Sequence, residues 1–426
     1  MTARELARRV LERVEKDKAW ATLSLDSELG RSGLEERDRR LVSEIVYGVL
    51  RNRTRIDRAL SAHADLSRTP PKVRTALRVA TYQLLFLDRV PAYAVLDDAV
   101  TAARTFGGGK LAGFCNAVLR KITISGEPAL PEGLGDKLHD RLEIEHSMPR
   151  WILEELATTV AATPGLDLAT MVAAFNEPPP LIARANRLRT TREALAAELA
   201  AAGVTATPIE LAPMALRLEG AGDPARSASF LSGQWTVQDT GAQLVGLLAA
   251  PRAGQRILDA CSGVGGKATH LAELAEDAAT IDAADLSKTK LGLCAESAAR
   301  LGITSIRRHA CDLLDPAAPL AAAYDLIVLD APCSGLGVLR RHPDAKWRLT
   351  PDTVPRLAGL QTQLLDAVVP RLAPGGALVY AVCTFTHAEG PGQIAALTAR
   401  TGLRVVEERR TWPPDADAFY LARLVR

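Results

Sequence analysis

The chain has 426 residues, 47% of them apolar, and a formal charge of only +2. That length exceeds one ordinary domain and suits two or three, with ample material for packed cores. Balanced charge excludes binding of nucleic acid through net charge alone, and no apolar run approaches the length of a membrane span.

Residues 1 to about 125 are expected to be helical throughout. Apolar residues recur at three and four in Leu6, Val10, Leu11 and Val14, and again in Leu41, Ile45, Val46, Val49 and Leu50. The N-terminal stretch is Arg-rich and amphipathic, but Glu5 and Glu12 oppose a transit peptide. Pro70-Pro71, Pro91 and the glycines at 107–109 punctuate the bundle, and a Gly/Pro-rich stretch at 125–135 marks the first boundary. Seven arginines against three acids lie between Arg37 and Arg58. Arg37, Arg39, Arg40, Arg51 and Arg53 are therefore candidates to track a phosphate backbone, with a solvated helix face as the alternative.

A small α/β module is expected over 140–235. It has a helix at 151–160, a strand at 181–186, a helix at 191–202 and short strands at 204–208 and 215–218. Arg184, Asn186, Arg187 and Arg189 read as surface residues, with RNA contact the alternative. From 236 to 426 the alternation becomes regular. Strands at 256–259, 280–285, 305–309, 325–330 and 377–383 alternate with helices at 267–275, 288–301 and 354–372, which implies a doubly wound, mostly parallel sheet.

Cys261, Ser262, Gly263, Val264, Gly265, Gly266 and Lys267 run from the first of these strands through a glycine loop into a helix. Such a loop lets backbone approach a ligand, but dinucleotide and nucleotide sites share it. Three acids at strand ends sharpen it: Asp285 for ribose hydroxyls, Asp312 for an adenine amino group, and Asp330. With no lysine–serine pair for a polyphosphate, S-adenosyl-L-methionine fits. NAD would satisfy the loop alone.

Two cysteines each follow an apolar run: Cys333 in Asp330-Ala-Pro-Cys-Ser-Gly and Cys383 in Tyr380-Ala-Val-Cys-Thr. Strand carboxyl ends form the ligand crevice of a parallel sheet, so two thiols delivered there point to nucleophilic chemistry on an electron-poor ring. Most free cysteines are simply small core residues, the reading given to Cys115 and Cys294. The six cysteines lack metal-ligand spacing, so no metal and no disulfide framework is expected, and reduced thiols suit the cytoplasm.

These motifs together resemble the RNA cytosine-C5 methyltransferases, and the whole-chain layout is similar to the RsmB (Sun/Fmu) branch acting on 16S ribosomal RNA. The resemblance also rests on Arg341-His-Pro-Asp-Ala-Lys-Trp, Trp235-Thr-Val-Gln-Asp and Phe114-Cys-Asn-Ala-Val-Leu-Arg. It implies a NusB-like all-α bundle (1–135), an RRM-like α/β segment (140–235) and a Rossmann-type methyltransferase domain (236–426). By that likeness residues 261–267, Asp285, Asp312 and Asp330 hold the cofactor, Cys383 is the nucleophile and Cys333 aids product release. A Pro-Cys cysteine serves as nucleophile in DNA cytosine methyltransferases, which would nominate Cys333 instead. The chain departs from the family at Ser262-Gly263-Val264 (usually Ala-Ala-Pro), at Val382 (usually Thr or Ser) and at Gly390 (usually Asn).

The chemistry follows from the base. Cytosine C5 becomes nucleophilic only after a thiolate adds at C6. Asp330 would hold the N3/N4 edge and supply the proton that N3 needs, which requires its carboxyl to carry one at that moment. A base reaching a strand-end pocket must leave its stack, so Arg340, Arg341, His342, Lys346 and Trp347 are candidates to grip phosphate and stack a base. A monomer acting on 16S rRNA or a small-subunit assembly intermediate is expected. A tRNA cytosine-C5 methyltransferase and a catalytically weak RNA-binding assembly factor are the alternatives.

Overall fold

Helix Ala3–Asp17 opens on a capping box: the Thr2 hydroxyl accepts from the Glu5 amide, and the Glu5 carboxylate accepts from the Thr2 amide. Leu6, Val10, Leu11 and Val14 turn one face of it into a core shared with Ile45 and Val46 of helix Glu36–Arg51 and Leu77 of helix Pro71–Phe86. The run Ala92–Ser125 is two helical segments broken at Gly107 and Gly108, where Gly108 takes φ +73°. Helices Leu138–Glu145, Arg150–Ala161 and Leu168–Asn176 follow. This unit comprises Met1–Glu177 and, from far along the chain, Leu339–Leu349. The structure is a computed structural model and describes residues 1–134 and 137–426. Of the boundary expected at 125–135, Ser125 ends a helix, and Gly135 lies outside the described residues.

The second unit comprises Pro178–Val338 and Thr350–Arg426. It opens with a four-stranded antiparallel sheet of β1 (Leu181–Ala185), β2 (Thr205–Pro208), β3 (Ala215–Glu219) and β4 (Trp235–Val237), ordered β2-β3-β1-β4. Leu195 and Leu199 of helix Arg192–Ala201 share its core with Trp235. Arg184 and Asn186 are fully buried, which overturns the surface reading for these two, whereas Arg187 and Arg189 are exposed as expected. The Arg184 guanidinium pairs with Glu273 at 2.6 Å and donates to the Gly266 carbonyl and the Thr269 hydroxyl, so a charge that alternation assigns to solvent is met by an acid 89 residues away.

The large sheet contains β5 (Arg256–Ala260), β6 (Thr280–Asp285), β7 (Ile306–Ala310), β8 (Tyr324–Asp330), β9 (Leu372–Val382), β10 (Arg404–Thr411) and β11 (Phe419–Val425), in the order β10-β11-β9-β8-β5-β6-β7. β7 to β9 are parallel neighbours through β5, and β11 and β10 add antiparallel strands at one edge. Neighbouring residues face opposite cores: Ile257, Val328 and Val379 on one side, Leu258, Ile327 and Leu378 on the other. The chain runs from β5 outward to β7, then crosses back to β8. The switch point therefore lies between β5 and β8, where the strand ends open a crevice. Among the described residues no helix is long and apolar enough to cross a membrane, and no group of three or more His, Cys, Asp or Glu side chains could hold a metal ion.

Candidate active site

The glycine loop leaves β5 with Cys261 in the left-handed region at φ +63°, then turns through Gly263 and Gly265. Gly265 is required by space as well as by its φ of +82°, because a Cβ there would lie 2.3 Å from Cys294 Sγ. Asp285, ending β6, accepts from the amides of Gly263 (2.9 Å) and Ser287 (2.8 Å) and so ties the loop to the next strand. Beside it Cys261, Asp285, Lys290, Asp312, Pro332 and Leu360 line a cavity of about 360 Å³. Val264 is half exposed, and Asp312 is exposed with one oxygen on the Leu314 amide. Gly266 begins helix Gly266–Leu274, and its carbonyl accepts from Arg184 and Gln238.

Lys267 reaches from that helix to the end of β8, its ammonium 2.5 Å from Asp330 Oδ2. Burial alone would lower the lysine, but the Asp330 carboxylate against it holds it above the ordinary range. Asp259, in β5, is a residue the sequence reading passed over. It is fully buried, and neither its carboxylate oxygens nor the nearby Ser262 hydroxyl makes a hydrogen bond of good geometry. Burial pushes Asp259 up to about 7, opposed by the Ser262 hydroxyl and the Lys267 ammonium. Its place at the end of the strand expected over 256–259, just before the glycine loop, was the available signal.

The two loop thiols meet. Cys333 Sγ and Cys383 Sγ are 3.4 Å apart, on the loops that follow β8 and β9. Contact with Cys383, then burial and the carboxylates of Glu389 and Asp330, hold the Cys333 thiol well above its usual range. Lys267 lies within electrostatic reach of Cys383. The remaining thiols are less suited to react: burial pushes Cys261 up to about 12 and buried Cys115 and Cys294 to about 11.

The basic residues proposed for RNA divide sharply. Lys346 is 2% exposed, with its ammonium within 3.2 Å of four oxygens: the carbonyls of Arg51, His146 and Ser147 and the side chain of Asn176. Arg340 is buried, Trp347 donates to the Leu50 carbonyl at 2.7 Å, and His342 Nδ1 lies 3.3 Å from the Thr22 hydroxyl. Arg341 is half-buried. Arg51 donates to the Arg340 carbonyl, Arg53 sits over Trp347 between Glu15 and Asp57, and Arg39 donates to the Leu29 carbonyl. Segment 339–349 is thus built into the helical unit, which corrects the expectation that Arg340, Lys346 and Trp347 grip RNA. Only Arg37 and Arg40 of the ten are exposed, Arg40 with a surface ion pair to Glu36.

A mostly parallel sheet with a glycine loop, acids at strand ends and, among the described residues, no grip for a polyphosphate suits a methyltransferase, and the cofactor is S-adenosyl-L-methionine. A profile of the 16S rRNA methyltransferase RsmB/F matches residues 246–425, the NusB family residues 1–123, and the ferredoxin-like domain of RsmF/B-like methyltransferases residues 148–224. The ribosomal RNA small subunit methyltransferase B of Pseudomonas putida is 35% identical over 446 aligned positions, covering 100% of this chain and 99% of that protein. The protein of that name from Salmonella typhi is 32% identical, covering 92% and 91%. Among solved structures, a methyltransferase homolog protein from Pyrococcus horikoshii matches at TM-score 0.60 and 22% identity, over 70% of this chain and all of that one, a likeness of fold. The chain belongs to the RsmB/F family of 16S rRNA methyltransferases.

Proposed function

We propose that the protein methylates C5 of a cytosine in 16S rRNA through a covalent adduct between Cys383 and C6 of the base. The observation that carries this reading is the pair of thiols 3.4 Å apart, beside the Lys267–Asp330 ion pair. A single thiol needs no such neighbour to fill a core. Two at adjacent strand ends divide the work of forming and releasing an adduct.

Cys383, within reach of the Lys267 charge, adds its sulfur to C6, and the ring electrons move toward N3 and the carbonyl. Asp330 binds the N3/N4 edge. The proton shared between Asp330 and Lys267 is the one N3 takes up as the ring gains electrons. C5 thereby becomes nucleophilic. S-adenosyl-L-methionine, when bound, supplies the electrophilic methyl group. Release requires loss of the C5 proton to water and return of the N3 proton to the Asp330–Lys267 pair, with the C6–S electron pair going back to sulfur. Cys333 keeps its proton at neutral pH and is placed to hand it to that departing sulfur.

The residues fit the cofactor. Asp259 is a buried carboxylate without a hydrogen bond of good geometry beneath the glycine loop, suited to the ammonium of an amino acid. Asp285 and Asp312 line the adjoining cavity, where ribose hydroxyls and an adenine amino group would find acceptors. Arg37 and Arg40 remain candidates for phosphate contact.

Unmethylated 16S rRNA treated with the protein and S-adenosyl-L-methionine, then digested to nucleosides, should yield 5-methylcytidine by mass spectrometry. A methyl group at another position, a preference for tRNA, or no transfer at all would reject the proposal in favour of a different substrate or a non-catalytic assembly factor.

A further inference from the structure

The two thiols ride on separate loops, so something must fix their spacing. Glu389 does not touch either sulfur, yet it is fully buried and its carboxylate accepts four hydrogen bonds. Oε1 takes the Ser334 amide at 2.7 Å and the Gln361 side-chain amide at 3.2 Å. Oε2 takes the Ser334 hydroxyl at 2.5 Å and the Thr386 hydroxyl at 3.0 Å. Ser334 follows Cys333 directly, and Thr384 follows Cys383. Their hydroxyls lie 3.0 Å apart. Since the Ser334 proton is committed to Glu389, Thr384 must donate to Ser334, and the chain of bonds has one direction. The Glu389 carbonyl accepts from the Tyr380 hydroxyl of β9 at 2.7 Å, which anchors the carboxylate to the strand that delivers Cys383. Gly390 completes the turn: a Cβ there would lie 3.1 Å from the Tyr420 ring and 3.2 Å from the Thr386 carbonyl.

We propose that Glu389 is a positioning residue that clasps the Cys333 loop to the Cys383 loop and so sets the sulfur–sulfur spacing on which turnover depends. The inference rests on the thiol mechanism above but makes a separate demand. All four partners are donors, so only a carboxylate satisfies them together. An amide would set its own donors against hydroxyl donors and reverse the Ser334–Thr384 chain.

The test uses the full chain and compares wild type with Glu389→Gln, Ser334→Ala and the double variant. One readout is single-turnover methyl transfer to 16S rRNA with its dependence on RNA concentration. The other needs no catalysis: diamide takes two electrons and two protons from the thiol pair, forming the Cys333–Cys383 disulfide and the corresponding hydrazine, and peptide mapping follows the rate. Glu389→Gln should slow transfer about 10–100-fold, the scale of a misplacement near 1 Å. It should slow disulfide formation as well, with KM for RNA nearly unchanged and the double variant no worse than the single. A Glu389→Gln protein with a lower melting temperature but wild-type diamide and transfer rates overturns the proposal. If that variant fails to fold, Ser334→Ala must show both losses, and a wild-type diamide rate in it overturns the proposal equally. Should Cys383→Ala still methylate RNA, the mechanism fails while the diamide rate continues to report on the clasp.

Discussion

Lys267 and Lys346 are both drawn in from solvent, each within a motif that reads as functional, yet their surroundings differ in kind. Lys267 faces a carboxylate, Asp330 at 2.5 Å, and its charge is held in place. Lys346 faces only neutral oxygens from three separate stretches of chain, and burial together with Arg51 pushes it well below the ordinary lysine range. A buried cation paired with an acid at a strand end can serve chemistry. One caged by carbonyls joins chain segments together. The same contrast separates the methyltransferase unit, where polar groups converge on a crevice, from the helical unit, where most of the expected RNA contacts are consumed internally.

Breaking each lysine should therefore give different losses. Lys267→Met leaves Asp330 without its cation and should lower single-turnover transfer about 10²–10³-fold, on the scale of removing one preorganised electrostatic partner. Its melting temperature should stay close to wild type, and calorimetric RNA affinity should not change. A transfer rate within a few-fold of wild type would remove Lys267 from the chemistry. Lys346→Met strands four acceptors and should cost about 2–3 kcal/mol of stability in urea unfolding, with cofactor affinity kept. A smaller stability loss accompanied by weaker RNA binding would return Lys346 to the RNA surface.

The third prediction sharpens the acid side of the comparison. Burial holds Asp259 at about 7 in the folded protein, whereas an exposed aspartate titrates near 4. Between those values the folded state binds the extra proton, so stability falls as pH rises from about 4 to about 7 and stays lowered above it. Asp259→Asn should remove that penalty, by linkage on the order of 1–2 kcal/mol after relaxation. The gain should appear at pH 8, vanish below about pH 4, and come with weaker binding of S-adenosyl-L-methionine in calorimetry. A variant no more stable than wild type at pH 8 would show that the carboxyl is satisfied by other means.

Much of the architecture could be read from periodicity, because β6 and β8 are largely apolar runs closed by an acid and helix Lys288–Leu301 has bounds set by Ser287 and Gly302. The strands missed were β4, β10 and β11. Glu407, Glu408, Arg409 and Arg410 give β10 the composition of a solvated loop, and it pairs only along one edge. At the site, Cys333, Cys383, Asp285 and Asp330 were legible because a residue's place at a strand end fixes where it arrives. Lys346, Arg184 and Glu389 were not. Their roles depend on partners that sequence does not place: Lys346 meets oxygens 170 to 295 residues away, and Glu389 meets Ser334 across 55. A motif marks such residues as constrained without telling whether a ligand or the fold constrains them.

The most direct test of the thiol mechanism mixes Cys333→Ala protein with unmethylated 16S rRNA and S-adenosyl-L-methionine and resolves the products on a denaturing gel. With release impaired, a retarded protein–RNA band should accumulate, and it should disappear in the Cys333→Ala/Cys383→Ala double variant. A band formed by Cys383→Ala alone and absent from Cys333→Ala would contradict the account by exchanging the roles of the two sulfurs.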